Sequence, residues 1–452
     1  MHRNLRGSRL PLAAAVVAAL ALTACGGPTS GSAKDTPRDA TAETEDWGKA
    51  SGTVEFWDTN ANPVLSQKWE ELITQFEEKN PDITVNYVGL PNSSYLQKVD
   101  NAVATGEVPD VMLIGNDIAN FIAQDALAPL DQAYEKAGLA DLVDPKLLDG
   151  VRANAPDGLL YGAPLTALSD VIWYRTDWLA EAGLEAPESY DEFFADAEEL
   201  TDKSSNRFGF AFRGGAGSIP PLMAMTYGMS GVGEFFTEDG QCTLDDPAHV
   251  KAIERYVSLY GSVSAEGDLT NDYPKIVAAF DGGSAWAMHH NLGSYQDHIK
   301  ALGADVVVGA QPFPDSDGVI TATRPAISGL AILQASEQKA AAWEFVKYMS
   351  TDANSSWAET VGQVPANLEA AQAPWVQDSQ PLRAIIETSE DPKTQYVQLP
   401  VFLPDWGTIT KMEMEPDLQA VLQGSLTVKD FASKYADRFE TALTEYETFA
   451  KK

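Results

Sequence analysis

Two hydrophobic periods alternate along residues 53–114, one of two residues and one of three to four. Residues 53–57 (TVEFW) alternate as a strand does, and residues 83–87 repeat that pattern. Between them, apolar side chains recur at helical spacing at Leu65, Trp69, Leu72, Ile73 and Phe76. A second helical stretch ends at Gly106. The segment VPDVMLIG that follows is largely apolar, which is typical of a strand covered on both faces. The order strand, helix, strand, helix, strand predicts an α/β sheet with crossovers.

The same patterns continue toward the C-terminus. DVIWYRTDWLAEAGL (170–184) predicts a strand running into a helix, and residues 189–202 predict an amphipathic helix with a Ser cap. Further strands are predicted at 208–212, 284–291, 304–310 and 329–333. The last of these precedes a strongly helical stretch at 336–350, and the final hundred residues are mostly helical. With 44% apolar residues, the chain has enough material for two globular domains with cores of their own.

A different pattern occupies the first fifty residues. Three arginines precede an apolar run at 10–24, which is shorter than the roughly 20 residues of a membrane span, so 1–24 is predicted to be a signal peptide. The tetrapeptide LTAC resembles a bacterial lipobox, in which Cys25 becomes the diacylated N-terminus. The alternative is ordinary cleavage with Cys25 incidental. Residues 25–50 are polar and small, and predict a flexible lipoprotein tether.

The net charge and the sequence motifs limit the classes of function that are expected. A net charge of −35 repels phosphate backbones, so nucleic-acid binding is not expected. The sequence has no serine-hydrolase, zinc-protease or phosphate-loop motif, so neither catalysis nor a cofactor is expected, although 66 acidic residues leave a carboxylate pair possible. His289 and His290 would point to opposite faces of a strand, so no metal site is expected.

Polar and aromatic residues in loops that follow strands are the candidate ligand contacts. Sugar rings have an apolar face and a hydroxyl rim, so they are bound by aromatic rings together with carboxylates, amides and arginine. Ligands of open α/β sheets lie at the carboxyl ends of strands. The candidates on this basis are Asp58, Asn60, Asn116, Asp117, Arg213, Asn291, Tyr295 and Trp406. Trp286 is a further candidate, but its place within a strand suits a core residue equally.

The order of these segments resembles the family 1 extracellular solute-binding proteins, which are carbohydrate-binding subunits of ABC importers related to maltose-binding protein. The resemblance is carried by FWD (56–58), VATGEVPDVMLIG (103–115), YGAPLTALSDVIWYRTDWLAEAGL (161–184) and FDGGSAWAMHHNLGSY (280–295), and it extends over nearly all of 51–450. It implies a two-lobed α/β fold with a hinge and an interlobe ligand cleft. The implied lobes are 51–166 plus 328–352 and 167–327 plus 353–452.

The resemblance also implies roles. Asp58 and Asn60 would supply polar contacts, Asp117 would bind hydroxyls, and Tyr295 and Trp406 would stack on sugar rings. The implied protein is a monomeric subunit, held to the outer face of the membrane by lipid, that captures a di- or oligosaccharide and passes it to a permease. From the residues alone, an exported glycan-active enzyme and an adhesion or sensor lipoprotein remain open alternatives.

Overall fold

The computed structural model describes residues 47–91 and 95–450, and most of the strands in this part form two sheets. The strands are β1 (Gly52–Asp58), β2 (Ile83–Gly89), β3 (Val111–Ile114), β4 (Ala163–Leu168), β5 (Asp170–Arg175), β6 (Phe208–Ala211), β7 (Ala285–Asn291), β8 (Val307–Ala310), β9 (Ile320–Thr323), β10 (Ala326–Ile332), β11 (Val364–Pro365) and β12 (Thr394–Val397). The first sheet has the order β11-β4-β10-β3-β1-β2 and the second β6-β7-β5-β8, while β12 pairs with β9.

Helices connect the strands along the chain. They are α1 (Pro63–Lys79), α2 (Tyr95–Thr105), α3 (Ile118–Ala123), α4 (Asp131–Ala137), α5 (Pro145–Arg152), α6 (Thr176–Ala182), α7 (Tyr190–Glu199), α8 (Ile219–Ser230), α9 (Pro247–Val257), α10 (Leu259–Ser262), α11 (Tyr273–Asp281), α12 (Tyr295–Leu302), α13 (Lys339–Ser350), α14 (Asn354–Val361), α15 (Pro374–Gln377), α16 (Gln380–Glu390), α17 (Glu415–Leu422) and α18 (Val428–Ala450). A π-helix at Thr408–Met414 leads into α17. None of the helices in the described part is both long and apolar enough to cross a membrane.

The first helix shows how local sequence sets the fold. The Asn62 side chain accepts hydrogen bonds from the backbone N–H groups of Val64 and Leu65, both at 3.0 Å, and Pro63 occupies the first turn, where it needs no N–H partner. The face that carries Trp69 is buried, as its helical spacing predicts. Both β2 and β3 run parallel to β1, so the predicted crossover sheet is confirmed.

Two short segments connect the first sheet to the other strands. The first sheet's β4 ends at Leu168 and the second sheet's β5 begins at Asp170, so Ser169 is the first crossing. The chain returns through Arg324 and Pro325, which separate β9 from β10. Ser169 thus links the two larger sheets directly, whereas Arg324 and Pro325 link the first sheet to the β9–β12 pair.

Each sheet has its own core. Phe56 and Trp69 belong to the core of the first sheet, and Trp286 belongs to one of two clusters on the second. The ring of Trp357 in α14 packs against that of Trp69, with centroids 4.1 Å apart, and β11 pairs with β4. Residues 354–366 therefore lie with the first sheet, although the sequence analysis assigned 353–452 to the second lobe. The lobe boundaries stay a prediction.

Candidate functional site

A cavity of about 470 Å³ is lined by residues of both sheets. The first sheet contributes the loop after β3 and the end of β4, and the second contributes the adjoining ends of β5 and β7. Leu168, next to the first crossing, and Arg324 and Pro325 of the second crossing also line it. Its volume lies within the usual range for small-molecule sites, about 300–1,000 Å³. The cavity thus touches both halves of the fold and the segments that join them.

Three of the predicted ligand residues line this cavity. Asn116 follows β3, Asn291 ends β7, and Trp406 lies beyond β12, so residues far apart in the sequence meet here. The half-buried Trp406 ring packs on Phe439, with ring centroids 5.8 Å apart, and also borders the cavity. Two amides and an aromatic ring provide the donor, acceptor and apolar groups that a sugar or polyol needs.

Asp170 is a cavity residue that the sequence analysis missed. It is the first residue of β5, lines the cavity, and pairs with Asn291 across the ladder between β5 and β7. Burial raises the pKa of its carboxyl to about 6, against the opposing field of the Arg213 guanidinium. No sequence pattern distinguishes it, because its place opposite Asn291 depends on the register of β5 with β7.

Arg213 interacts electrostatically with Asp170 but does not line the cavity. Its Nε donates to the carbonyl of Ala216 at 2.8 Å, and a Cβ at Gly217 would come within 1.9 Å of the guanidinium, so only glycine allows this approach. Burial lowers the pKa of Arg213, while the charges of Asp170 and Glu415 act in the opposite direction. The guanidinium is therefore a half-buried positive charge whose field acts on Asp170 in the cavity wall.

Asp58, the last residue of β1, and Asn60 in the loop after it were predicted to contact ligand. The Asp58 carboxylate is fully buried and accepts hydrogen bonds from the backbone N–H of Asn60 and the hydroxyl of Tyr87, both at 2.9 Å. Burial raises the pKa of Asp58, and these hydrogen bonds oppose that shift. Asn60 is exposed, and neither residue lines the cavity. Asp117 accepts a hydrogen bond from the Tyr95 hydroxyl and also lies outside the lining, although its neighbour Asn116 belongs to it.

Two predicted aromatic residues pack elsewhere in the second half of the fold. Trp286 is fully buried, donates from Nε1 to the carbonyl of Arg175 at 3.0 Å, and packs against Phe193. Tyr295 stacks on Trp173 and does not line the cavity. The structure therefore brings Asn116, Asn291 and Trp406 together in the cavity lining and leaves the other predicted residues out of it.

The histidines on β7 are buried next to each other in the ladder. Burial lowers the pKa of His289 to about 3, and it lowers the pKa of His290 well below its usual value. His298 lies nearby in α12 and forms a 2.6 Å hydrogen bond with Asp281. No cluster of three or more histidine, cysteine or acidic side chains in 47–91 and 95–450 is arranged to hold a metal ion.

The sequence matches a known protein family over more than half of its length. The profile of the bacterial extracellular solute-binding proteins matches residues 62–355, and the chain belongs to that family. A mannitol-binding protein of Pseudomonas aeruginosa is 26% identical over 254 residues, which are 54% of this chain and 56% of that protein. The aligned part covers 55% of a second relative, from Escherichia coli K12. The chain thus spans little more than half the length of these two relatives.

Solved structures share the fold over nearly their whole length. A solute-binding protein from Agrobacterium vitis with bound D-mannitol is 27% identical, with a TM-score of 0.68 over 87% of this chain and 99% of that one. The GacH receptor of Streptomyces glaucescens, solved unliganded and with acarbose, is 24% identical, with a TM-score of 0.71 over 88% and 99%. The two-lobed α/β fold expected from the sequence is confirmed.

Proposed function

We propose that this protein is the extracellular substrate-binding subunit of an ABC importer and that it captures a neutral sugar or polyol. The observation that carries the proposal is the cavity lined by both sheets, in which Asn116, Asp170 and Asn291 offer hydrogen-bonding groups and Trp406 offers a ring face. The ligands named for the relatives, D-mannitol and acarbose among them, support a polyhydroxylated compound. The strongly acidic chain, with a net charge of −35, disfavours an anionic one.

Capture would proceed by closure of the two halves. A ligand that touches both sheets gains its full set of contacts only when they approach, so it stabilises the closed arrangement by that difference in contacts. The crossings at Ser169 and at Arg324 and Pro325 are the segments about which such a movement would occur. The bound sugar or polyol would then pass unchanged to the membrane permease.

Attachment to the membrane would come from the N-terminus. The tethering residue Cys25, the signal peptide 1–24 and most of the tether 25–50 lie outside the described residues. The lipobox-like LTAC supports lipidation, and the small polar residues after it support a tether that leaves a monomeric binding domain free beside its permease.

A thermal-shift screen tests the proposal. The purified protein would be melted with D-mannitol, ribitol, lactose, maltose and acarbose, each in large excess. A compound present at 100 times its Kd should stabilise the protein by about 2.7 kcal/mol. The bound compound should be recovered chemically intact, whereas turnover would favour the glycan-active enzyme. Absence of any shift across the panel would contradict the proposed function.

A further inference from the structure

Asp170 and Asn291 occupy directly opposed positions at the cavity end of the second sheet. The backbone N–H of Leu292 donates to the carbonyl of Ser169 at 3.1 Å, so residues 169 and 292 form a hydrogen-bonded pair. In an antiparallel ladder the next pair is then of the non-hydrogen-bonded kind, in which side chains approach most closely. The two side chains share one face of the sheet, with Cβ atoms about 4.5–5.5 Å apart.

The two side chains have complementary hydrogen-bonding capacity. Asn291 Oδ1 accepts from the backbone N–H of Gly293 at 3.0 Å, which fixes the orientation of the amide and leaves the Nδ2 hydrogens without a partner in the described part of the chain. The Asp170 carboxylate has no hydrogen-bond or ion-pair partner among the same residues, and both side chains line the cavity. A carboxylate only accepts and an amide NH₂ only donates. The cavity wall thus presents one acceptor group beside one donor group.

We propose that Asp170 and Asn291 form a clamp for a vicinal diol and thereby determine the specificity of the site for uncharged polyhydroxylated ligands. This inference rests on the proposed function and names the groups that select the substrate. One hydroxyl of the diol donates to the Asp170 carboxylate, and its neighbour accepts from Asn291 Nδ2. Adjacent hydroxyls on a sugar or polyol have the spacing of such a pair, whereas a single hydroxyl would satisfy only half of it.

The negative charge of the Asp170 carboxylate disfavours ligands that carry an acidic group. A sugar acid would bring its carboxylate next to the carboxylate of Asp170. Two negative charges in contact within a partly buried site repel each other. Arg213 does not relieve this repulsion, because its guanidinium lies outside the cavity lining and is shared among Asp170, Glu415 and Asp272. Its field instead favours the ionised form of Asp170 and so keeps the acceptor side of the clamp charged.

The test compares neutral compounds with their acids in matched variants. Titration calorimetry would measure D-mannitol, lactose and maltose against D-mannonate, lactobionate and maltobionate. Asp170→Asn removes the charged acceptor, and Asn291→Asp keeps the bond to Gly293 while removing the donor. Glu387→Gln is the control, because Glu387 lies exposed on α16 outside the cavity lining and its replacement removes the same charge. Thermal unfolding of each variant would establish that it is folded.

The clamp predicts that the wild type binds its best neutral compound at least tenfold more tightly than the matching acid. Asp170→Asn should weaken that binding by about 10- to 100-fold, the scale of a lost charge-assisted hydrogen bond, and Asn291→Asp should weaken it by about tenfold through loss of the donor. Glu387→Gln should weaken it by less than twofold. Asp170→Asn should also narrow the gap between neutral compound and acid, which a merely structural role would not do. Unchanged affinity in both clamp variants, or a preference for the acids, would overturn the clamp and leave the proposed function standing. A wild type that binds none of the six compounds would contradict both.

Discussion

The ring of Tyr295 lies nearly parallel to the ring of Trp173, with an interplanar angle of 8° and centroids 5.7 Å apart. One face of the tyrosine is therefore covered by protein, and Tyr295 does not line the cavity. The sequence suggested Tyr295 and Trp406 as equivalent stacking positions for a sugar. The structure separates them, since the Trp406 ring borders the cavity and the Tyr295 ring extends the core of the second sheet.

Replacement of Trp406 should therefore affect ligand binding, whereas replacement of Tyr295 should affect the stability of the fold. Trp406→Ala should weaken ligand binding by about 1–3 kcal/mol, the scale of burying one large apolar side chain. Tyr295→Ala should change affinity by less than twofold and instead lower the free energy of unfolding by about 2 kcal/mol, because it removes an aromatic pair and leaves Trp173 underpacked. Calorimetry with the best compound of the screen, together with urea unfolding, distinguishes the two effects. Equal loss of affinity in both variants would contradict the assignment.

Anchoring is tested through Cys25. Wild-type protein expressed with its own signal peptide should partition into detergent, whereas Cys25→Ala should appear in the medium, because a lipid chain contributes about 0.8 kcal/mol per buried methylene. Mass spectrometry of the mature N-terminus provides the direct readout. Cys242→Ala is the matched control and should remain anchored, since Cys242 is buried in the folded part and burial raises its pKa to about 12. Wild-type protein with an unmodified N-terminus would contradict lipidation.

Closure should be visible in solution. A ligand that contacts both sheets should reduce the radius of gyration measured by small-angle scattering, because the halves approach about the crossings. On one side of the cavity, Lys146 Nζ in α5 donates to the carbonyl of Ser389 in α16 at 2.8 Å. Lys146→Met would remove this contact between the two halves. Comparing its radius of gyration with that of the wild type would show whether the contact favours the closed arrangement. An unchanged radius of gyration at saturating ligand would rule out closure.

Acid stability should depend on buried histidine. Burial lowers the pKa of His249 to about 4, and its ring nitrogens lie near the hydroxyls of Thr226 and Ser230. In the unfolded chain the ring titrates near 6.5, so protons bind the unfolded state preferentially between pH 6.5 and 4 and stability falls as the pH is lowered through that window. The loss attributable to this residue is about 3 kcal/mol.

His249→Gln should therefore reduce the slope of the unfolding free energy against pH between 6.5 and 4, to which His289 and His290 contribute with the same sign. Urea unfolding at half-unit intervals measures the slope. Data at pH 7.5, where His249 is neutral in both the folded and unfolded states, provide the reference for any loss of packing. A variant with the slope of the wild type would show that other groups are responsible for the acid lability.

The sequence predicted the elements whose cause is local. In α1, the cap at Asn62, the proline after it and the apolar spacing through Phe76 all act within one segment, so the helix could be recognised before its partners were known. The strand β11 has only two residues, too few to show an alternating pattern of apolar and polar side chains. It forms because it pairs with β4. That non-local pairing is why residues 354–366 lie with the first sheet.

The candidate site likewise contains residues that could be predicted from local sequence and residues that could not. Asn116, Asn291 and Trp406 follow strands or sit in a loop, and their chemistry indicated a ligand role before the structure placed them together. Asp170 could not be found in this way, because its importance comes from its register opposite Asn291. For Trp286, an apolar residue in a buried strand has the same pattern whether its ring contacts protein or ligand, and only the tertiary structure shows it enclosed.

A crystal structure with the best compound from the screen tests the central claim most directly. The account predicts one intact molecule in the cavity, in contact with residues of both sheets, with its ring or chain against Trp406 and two adjacent hydroxyls on Asp170 and Asn291. A compound bound at saturating concentration elsewhere on the protein, or in contact with one sheet only, would contradict the account.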